Sequence, residues 1–460
     1  MLCWSGCMVQ RSKEWIPGKE SRQGGMCVIW GKGKRRGIVL LLTAVMLSGC
    51  GVAESGEMYQ IREEKPAKEE KTVLEVYAWE DEEKNLQLLS EAYLRTRPGM
   101  EIQLHVIPAS EYSQQMMAIS RGVKEGDCVF FPHIAEAAIW VNKGLLQNLE
   151  SYIGELEAGF TDWYQGDKQE YKEYMCPYRM SRWAVFYNKK IFEEREIPYP
   201  EGDWTWEEYA QTAMLLTERV GVNRIYGAMG FEPTSSWWRV PARTRGANNP
   251  LADQDLAMFR EAAKWCYDMT YERKAQLPYT EWTEQQGRTN NEVFLGGSVG
   301  MCFTGDWSVS WLNEKIEEKN LDFEYDIAPM PRWEEEPLHN ISDAAVISMV
   351  KSTVHPDAAG DFIRFVCGPE GAAILAERDY IPAWDSEEIR ETFLNSEKYP
   401  EHREFFFMEG ELSCVPASLG YSEAMEVVQE EIMSYLLQEQ SLDQCFDNIE
   451  HALKTMKAKE

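Results

Sequence analysis

The chain is poor in positive charge, in histidine and in metal-ligand spacing. Its 47 Lys and Arg stand against 77 Asp and Glu, a formal net charge of −30. A field of that sign repels nucleic acid and anionic headgroups, which argues against both as partners recognised through charge. There are only six histidines, with no H-E-x-x-H and no C-x-x-C, so no zinc site is suggested. Seven cysteines lie beyond residue 50: Cys128, Cys176, Cys266, Cys302, Cys367, Cys414 and Cys445. An odd number in mostly apolar patterns implies buried small hydrophobes rather than a disulfide framework. No repeat of fixed period is visible. Only one apolar stretch stands out, and it falls short of the about 20 residues that cross a bilayer.

That stretch, residues 37–47, follows Lys32, Lys34, Arg35 and Arg36 and runs into Leu47-Ser48-Gly49-Cys50. Positive charge, a short apolar run and small residues in this order make a secretory signal. The ending resembles the lipobox of bacterial lipoproteins, in which the cysteine sulfur receives the lipid. Residues 1–49 are therefore expected to be a signal peptide, with Met26 as an alternative start, and Cys50 the lipidated first residue of the mature chain. The leader takes away far more Lys and Arg than Asp and Glu, so the remainder is more acidic still. Residues 50–71, acidic and interrupted by proline, cannot bury a core and are expected to be a disordered tether.

The rest is long enough for two lobes. "TVLEVYAW" has strand character. "EEKNLQLLSEAYLRTRPG" places Leu86, Leu89 and Tyr93 on one helical face, and in "EIQLHVI" Ile102, Leu104 and Val106 alternate with polar residues. Ser110 is a candidate cap for a following helix, "DCVFF" is a short strand, and "AEAAIWVNKG" is helical. This alternation predicts α/β lobes with largely parallel sheets. Thr205 and Glu208 have capping-box spacing, which fixes a helix start and makes Glu208 structural, and Trp206, next after the cap, is expected to be structural as well. "HPDAAGDFIRFVCG" is a Pro-started, Gly-ended helix. "GGSVG" at 296–300 formally matches G-x-S-x-G, but Ser298 precedes the strand-like 299–303, whereas a nucleophile elbow needs strand, serine, helix.

Four stretches in order, "VYAWEDEEKNLQLLSEAYLRTRPGMEIQL", "GDCVFFPHIAEAAIWVNKGLLQNLESYI", "WAVFYNKKIFEEREIPYPEGDWTWEEY" and "FLGGSVGMCFTGDW", resemble the extracellular solute-binding proteins of ABC importers, the family that includes the maltose-binding protein. The resemblance covers residues 72 to about 385. It implies two α/β lobes of the type II periplasmic-binding-protein fold, with a ligand cleft between them and three chain crossings at the hinge. Carried onto this sequence, the crossings fall near 181–182, 301–304 and 346–348. The first lobe would combine 72–181 with 304–346, and the second 182–303 with 347–460.

The same resemblance implies capture of a sugar or oligosaccharide by lobe closure, delivery to the transmembrane subunits of a permease, a monomeric protein on the outer face of the cytoplasmic membrane, and neither catalytic residues nor a cofactor. The seventeen tryptophans suit flat C–H faces of sugars, although most aromatics serve cores. An exported glycoside hydrolase, with paired carboxylates among many acids, and a carbohydrate-binding adhesin are the alternatives. Ligands gather at the carboxyl ends of strands. That rule nominates Trp79 and Glu80 after the first strand, Phe131 and His133 after "DCVFF", and Asp306 and Trp307 after "VGMCF". Trp237, Trp238 and Arg239 of "SSWWRV" are candidates from the other lobe, with Trp384 of "YIPAW" a lesser one. His133 has no second ligand at metal spacing and is expected to act as a hydrogen-bonding side chain.

Overall fold

The computed structural model describes residues 71–457, apart from 161–162, 219–223, 230–236 and 283–287. The expected signal peptide, Cys50 and the tether up to residue 70 lie outside the described residues. Nine strands are described: β1 (Thr72–Trp79), β2 (Met100–Ile107), β3 (Cys128–Phe131), β4 (Cys176–Asn188), β5 (Tyr226–Ala228), β6 (Val299–Gly305), β7 (Tyr325–Ala328), β8 (His339–Met349) and β9 (Glu411–Ser413). Their order is β2-β1-β3-β8-β4-β6-β5, with β7 on β4 and β9 on β8. β1 pairs in parallel with β2 and β3, and β5 with β6. β3 with β8, and β4 with β6, β7 and β8, are antiparallel. The sheet is thus mixed rather than largely parallel, because β4 and β8 run back through it.

β4 is the spine. Its first half, through Arg182↔Ser342, pairs with β8, and from Trp183↔Gly305 onward it pairs with β6. The two halves define two lobes. On the first, Glu83–Arg95 buries Leu86, Leu89 and Tyr93 at helical spacing and packs against the helices Pro356–Cys367 and Pro369–Glu377. Its core joins Leu74, Val76, Val129, Phe362 and Val366. On the second, Trp206–Leu216, Asp253–Tyr267, Tyr421–Leu436 and Leu442–Lys457 bury Trp206, Phe259, Phe303, Val428 and Ile449. Each such side chain, fully buried, is worth ~1.5–3 kcal/mol.

The expected partition therefore changes at two places. β7 pairs with residues 185–188 of β4, so 325–328 belongs to the second lobe, and the chain returns to the first between β7 and β8 rather than near 301–304. The two helices spanning 356–377 pack on Glu83–Arg95 in the first lobe. The next crossing follows them, where Ile381 and Ala383 bond to β4 (Met180 N–H to Ile381 O, 2.9 Å; Ala383 N–H to Tyr178 O, 3.1 Å), not at 346–348.

Local signals read from the sequence carry through elsewhere. Thr205 and Glu208 form a reciprocal capping box. Trp206 is 1% exposed, and its Nε1 donates to Thr244 Oγ1 at 2.9 Å. Pro356–Cys367 is closed by Gly368. Ser298 precedes β6. All seven described cysteines are free and buried. The helix expected to be capped by Ser110 begins one residue earlier, at Ala109 after Pro108.

Candidate functional site

The loops after β1, β3 and β6 converge with residues of β4 and β8 around a cavity of about 710 Å³. Of the residues nominated from sequence, Trp79, Glu80, His133, Trp237 and Trp307 line it. Trp307 opens the helix Trp307–Lys319 directly after β6. Its ring lies over the α-carbon of Gly305, where a Cβ would come within 1.9 Å of the indole Cζ3, so only glycine admits this pose. Trp183 of β4 stands edge-on to both neighbours, with ring centroids 5.3 Å from Trp307 and 5.1 Å from Trp237. The Trp183 Nε1 is buried with no hydrogen-bond partner among the described residues. Trp79 is 8% exposed and packs edge-on against Tyr112, leaving a margin of its ring in the wall.

Charged groups in the walls are largely paired. Arg179 bonds Glu82 at 2.5 Å, and Glu82 is buried. Glu314 accepts from Lys84 and, at 2.7 Å, from Arg378. Asp343 receives both Nη groups of Arg243 at 2.9 and 3.0 Å, together with the Val415 N–H. His133 Nε2 stands 3.8 Å from Glu136, and its Nδ1 is buried without a partner among the described residues. Among the described residues no group of three or more His, Cys, Asp or Glu is placed to hold a metal ion. A wall of indole faces beside paired ions suits an uncharged ligand with apolar faces and many hydroxyls, since paired ions still offer free lone pairs and N–H groups.

Five nominated residues lie elsewhere. Phe131 is 1% exposed and packs on Trp140, because β3 ends inside the core. Trp238 donates from Nε1 to Gln429 at 2.7 Å, and Arg239 donates to the Tyr421 hydroxyl; both turn into the second lobe while Trp237 turns to the cleft. Trp384 sits on Gly159, whose added Cβ would meet the ring at 2.3 Å, and lines a separate hollow. Asp306 is 0% exposed. It occupies the N-cap position without capping its own helix. Instead Oδ1 accepts from the Arg182 N–H (3.0 Å) and Oδ2 from the Ile381 N–H (3.2 Å). Burial pushes its carboxyl up to about 6, against the opposing pull of Arg179 and the N–H groups.

Sequence reasoning missed the helix face Ser310, Trp311, Glu314 and Lys315, and also Arg179, Ser181, Asp343, Arg378 and Tyr380. The helix face had a signal. Counting three and four residues on from Trp307 reaches Ser310 and Trp311, and the next turn reaches Glu314 and Lys315. The others sit on strands and crossings that only the tertiary fold brings to the cleft.

The sequence pattern of the family described as bacterial extracellular solute-binding protein matches residues 78–373. A Brucella abortus protein described as a binding protein is 23% identical over 255 residues, 53% of this chain and 58% of that one, so the chain spans less than two thirds of that relative's length. An ABC substrate-binding protein of Listeria monocytogenes, solved in complex with cycloalternan, is 20% identical with a TM-score of 0.73, over 84% of this chain and 99% of that one. A sugar transporter protein of Rhizobium etli in an open conformation is 21% identical with a TM-score of 0.68, over 83% and 99%. These neighbours share the two-lobed type II periplasmic-binding-protein fold.

Proposed function

Because the chain belongs to the family of bacterial extracellular solute-binding proteins, we propose that it is the substrate-binding lipoprotein of an ABC importer, capturing a neutral sugar or oligosaccharide between its lobes and presenting it to a permease. The observation that carries this reading is the pair Trp237 and Trp307 lining the cavity, both braced edge-on by Trp183, beside paired ions. Indole faces stack on sugar C–H faces, and the paired acids and guanidiniums bond hydroxyls without demanding a charged ligand. The solved neighbour holding cycloalternan, an oligosaccharide, supports the same class. The hinge comprises β4, the segment 329–338 and the segment 380–383. A ligand that touches both lobes favours the closed arrangement by its extra contacts there.

Export and anchoring follow from the charge, apolar run and Leu-Ser-Gly-Cys order at 32–50. Cys50→Ala should remove the protein from the membrane fraction or leave its precursor uncleaved; a variant partitioning into detergent like the parent would refute lipidation. The ligand class is tested by a thermal-shift screen. A ligand present at 100 times its Kd stabilises by about 2.7 kcal/mol, and the hits should be neutral oligosaccharides. Shifts confined to polyamines, amino acids or phosphate esters would overturn the reading.

A further inference from the structure

Side chains alternate along β4, so Arg179 and Ser181 face the main cleft while Met180 and Arg182 face the other side. There a small hollow of about 50 Å³ is walled by Arg182, Arg390, Trp384, Asp385 and Ile381. We propose that this hollow binds a small inorganic anion, chloride or a compact oxyanion such as phosphate, between the guanidinium groups of Arg182 and Arg390.

The Arg182 guanidinium has an unused donor at this hollow. Among the described residues, Arg182 Nε is buried without a hydrogen-bond partner and this guanidinium forms no ion pair. Asp385 is taken by Arg390, whose Nη2 lies 2.7 and 2.6 Å from its two oxygens. Asp306, which also acts on Arg182, uses its oxygens on backbone N–H groups and forms no direct pair with the guanidinium. The Cys414 thiol carries charge only when ionised. Arg182 and Arg390 against Asp385 and Asp306 sum to no net charge, so the hollow offers an anion the unused Nε–H of Arg182 rather than an excess of positive charge. Burial holds the Arg182 guanidinium below the usual arginine range, despite the raising influence of Cys414, Asp306 and Asp385.

Desolvating a cation without a partner is costly, and a bound anion offsets that cost. A cavity needs about 10–15 Å³ of such space to hold one water, so the hollow admits a halide with its water or a compact oxyanion. The planar guanidinium fork suits the latter. The site is independent of what the main cleft binds.

Chloride-35 NMR of the full-length protein tests this without any sugar. The protein should broaden the chloride line, sodium phosphate should reverse the broadening by competition, and Arg182→Gln should remove at least half of it. In buffer free of small inorganic anions Arg182→Gln should melt at or above the parent temperature, because it removes a partly buried guanidinium whose Nε has no partner among the described residues. Equal broadening by parent and variant would assign the effect to surface lysines and overturn the proposal, as would no broadening by the parent. Should Arg182→Gln fail to fold, Arg390→Gln, on the exposed rim, gives the same reading: reduced broadening supports the site and unchanged broadening refutes it.

Discussion

Replacing Asp306 by asparagine keeps the shape of the side chain and removes one acceptor and one charge. Each carboxylate oxygen takes a backbone N–H, from Arg182 at 3.0 Å and from Ile381 at 3.2 Å. An amide has a single oxygen, so its NH2 group must confront one of those donors where the side chain is 0% exposed. A buried donor left unsatisfied costs about 1–3 kcal/mol. Titration adds a pH dependence. Burial lifts the Asp306 carboxyl to about 6, while the unfolded chain keeps it near the ordinary ~3.9. Between those values the folded state binds more protons than the unfolded one, so the stability from this group is fully present below about pH 4 and is lost as the pH rises to about 6. Two pKa units correspond to about 3 kcal/mol. Asparagine does not titrate. The destabilisation caused by Asp306→Asn is therefore largest near pH 4, shrinks by about 3 kcal/mol on the way to pH 6 and is constant above pH 7. Scanning calorimetry of parent and variant from pH 4 to 8 measures the gap, and every group common to both cancels. At about 2 °C per kcal/mol for a unit of this size, the gap in melting temperature should narrow by several degrees. A gap that stays constant from pH 4 to 7 would refute the reasoning.

Trp307→Ala should weaken binding of the ligand found by the screen at least tenfold, about 1.4 kcal/mol, with melting of the free protein nearly unchanged; calorimetry showing parental affinity would remove the indole from the site. Gly305→Ala keeps the indole but forces it off its seat, since the new Cβ would lie 1.9 Å from the ring, and it should lower affinity about as much as truncation does. Trp206→Ala should destabilise by about 3–5 kcal/mol, lowering the melting temperature by several degrees, because the ring is 1% exposed, packs 4.8 Å from Trp265 and donates to Thr244. Lost affinity at unchanged melting would instead place Trp206 in the site.

Local structure was legible where one residue's neighbours along the chain decide its role. The Thr205–Glu208 box, the burial of Trp206 and the helix face of Leu86, Leu89 and Tyr93 rest on short-range periodicity and side-chain-to-backbone bonds. Long-range pairing was not legible. β7 has only four residues, and nothing in its sequence says that it will join residues 185–188 of β4, nor does the sequence of the helices at 356–377 say that they will pack on Glu83–Arg95, yet those two choices moved two of the crossings. Among site residues, the rule that ligands collect at strand ends brought Trp79, Glu80, His133 and Trp307 to the cavity but placed Phe131 and Asp306 there as well. The rule locates a backbone position, and whether a side chain turns to ligand or to core depends on what lies behind it. For Phe131 that is Trp140, and for Asp306 it is two N–H groups from distant segments.

Those two N–H groups explain why an acid stands beside the cleft tryptophan without facing the cleft. Arg182 belongs to β4 and Ile381 to the segment that recrosses beside it, while Asp306 ends β6, so one buried carboxylate ties three stretches of chain that meet at the junction of the lobes. The residue after it carries the indole. With Gly305 beneath the ring and Trp183 against its edge, Trp307 is held before any ligand arrives, so little side-chain entropy remains to be lost on binding. An aromatic face held by a hinge residue is also placed according to the hinge's own state. Under the proposed function, a ligand that stacks on Trp307 and touches the first lobe would act on the same backbone that Asp306 fixes, and that shared backbone would link occupancy of the cleft to closure.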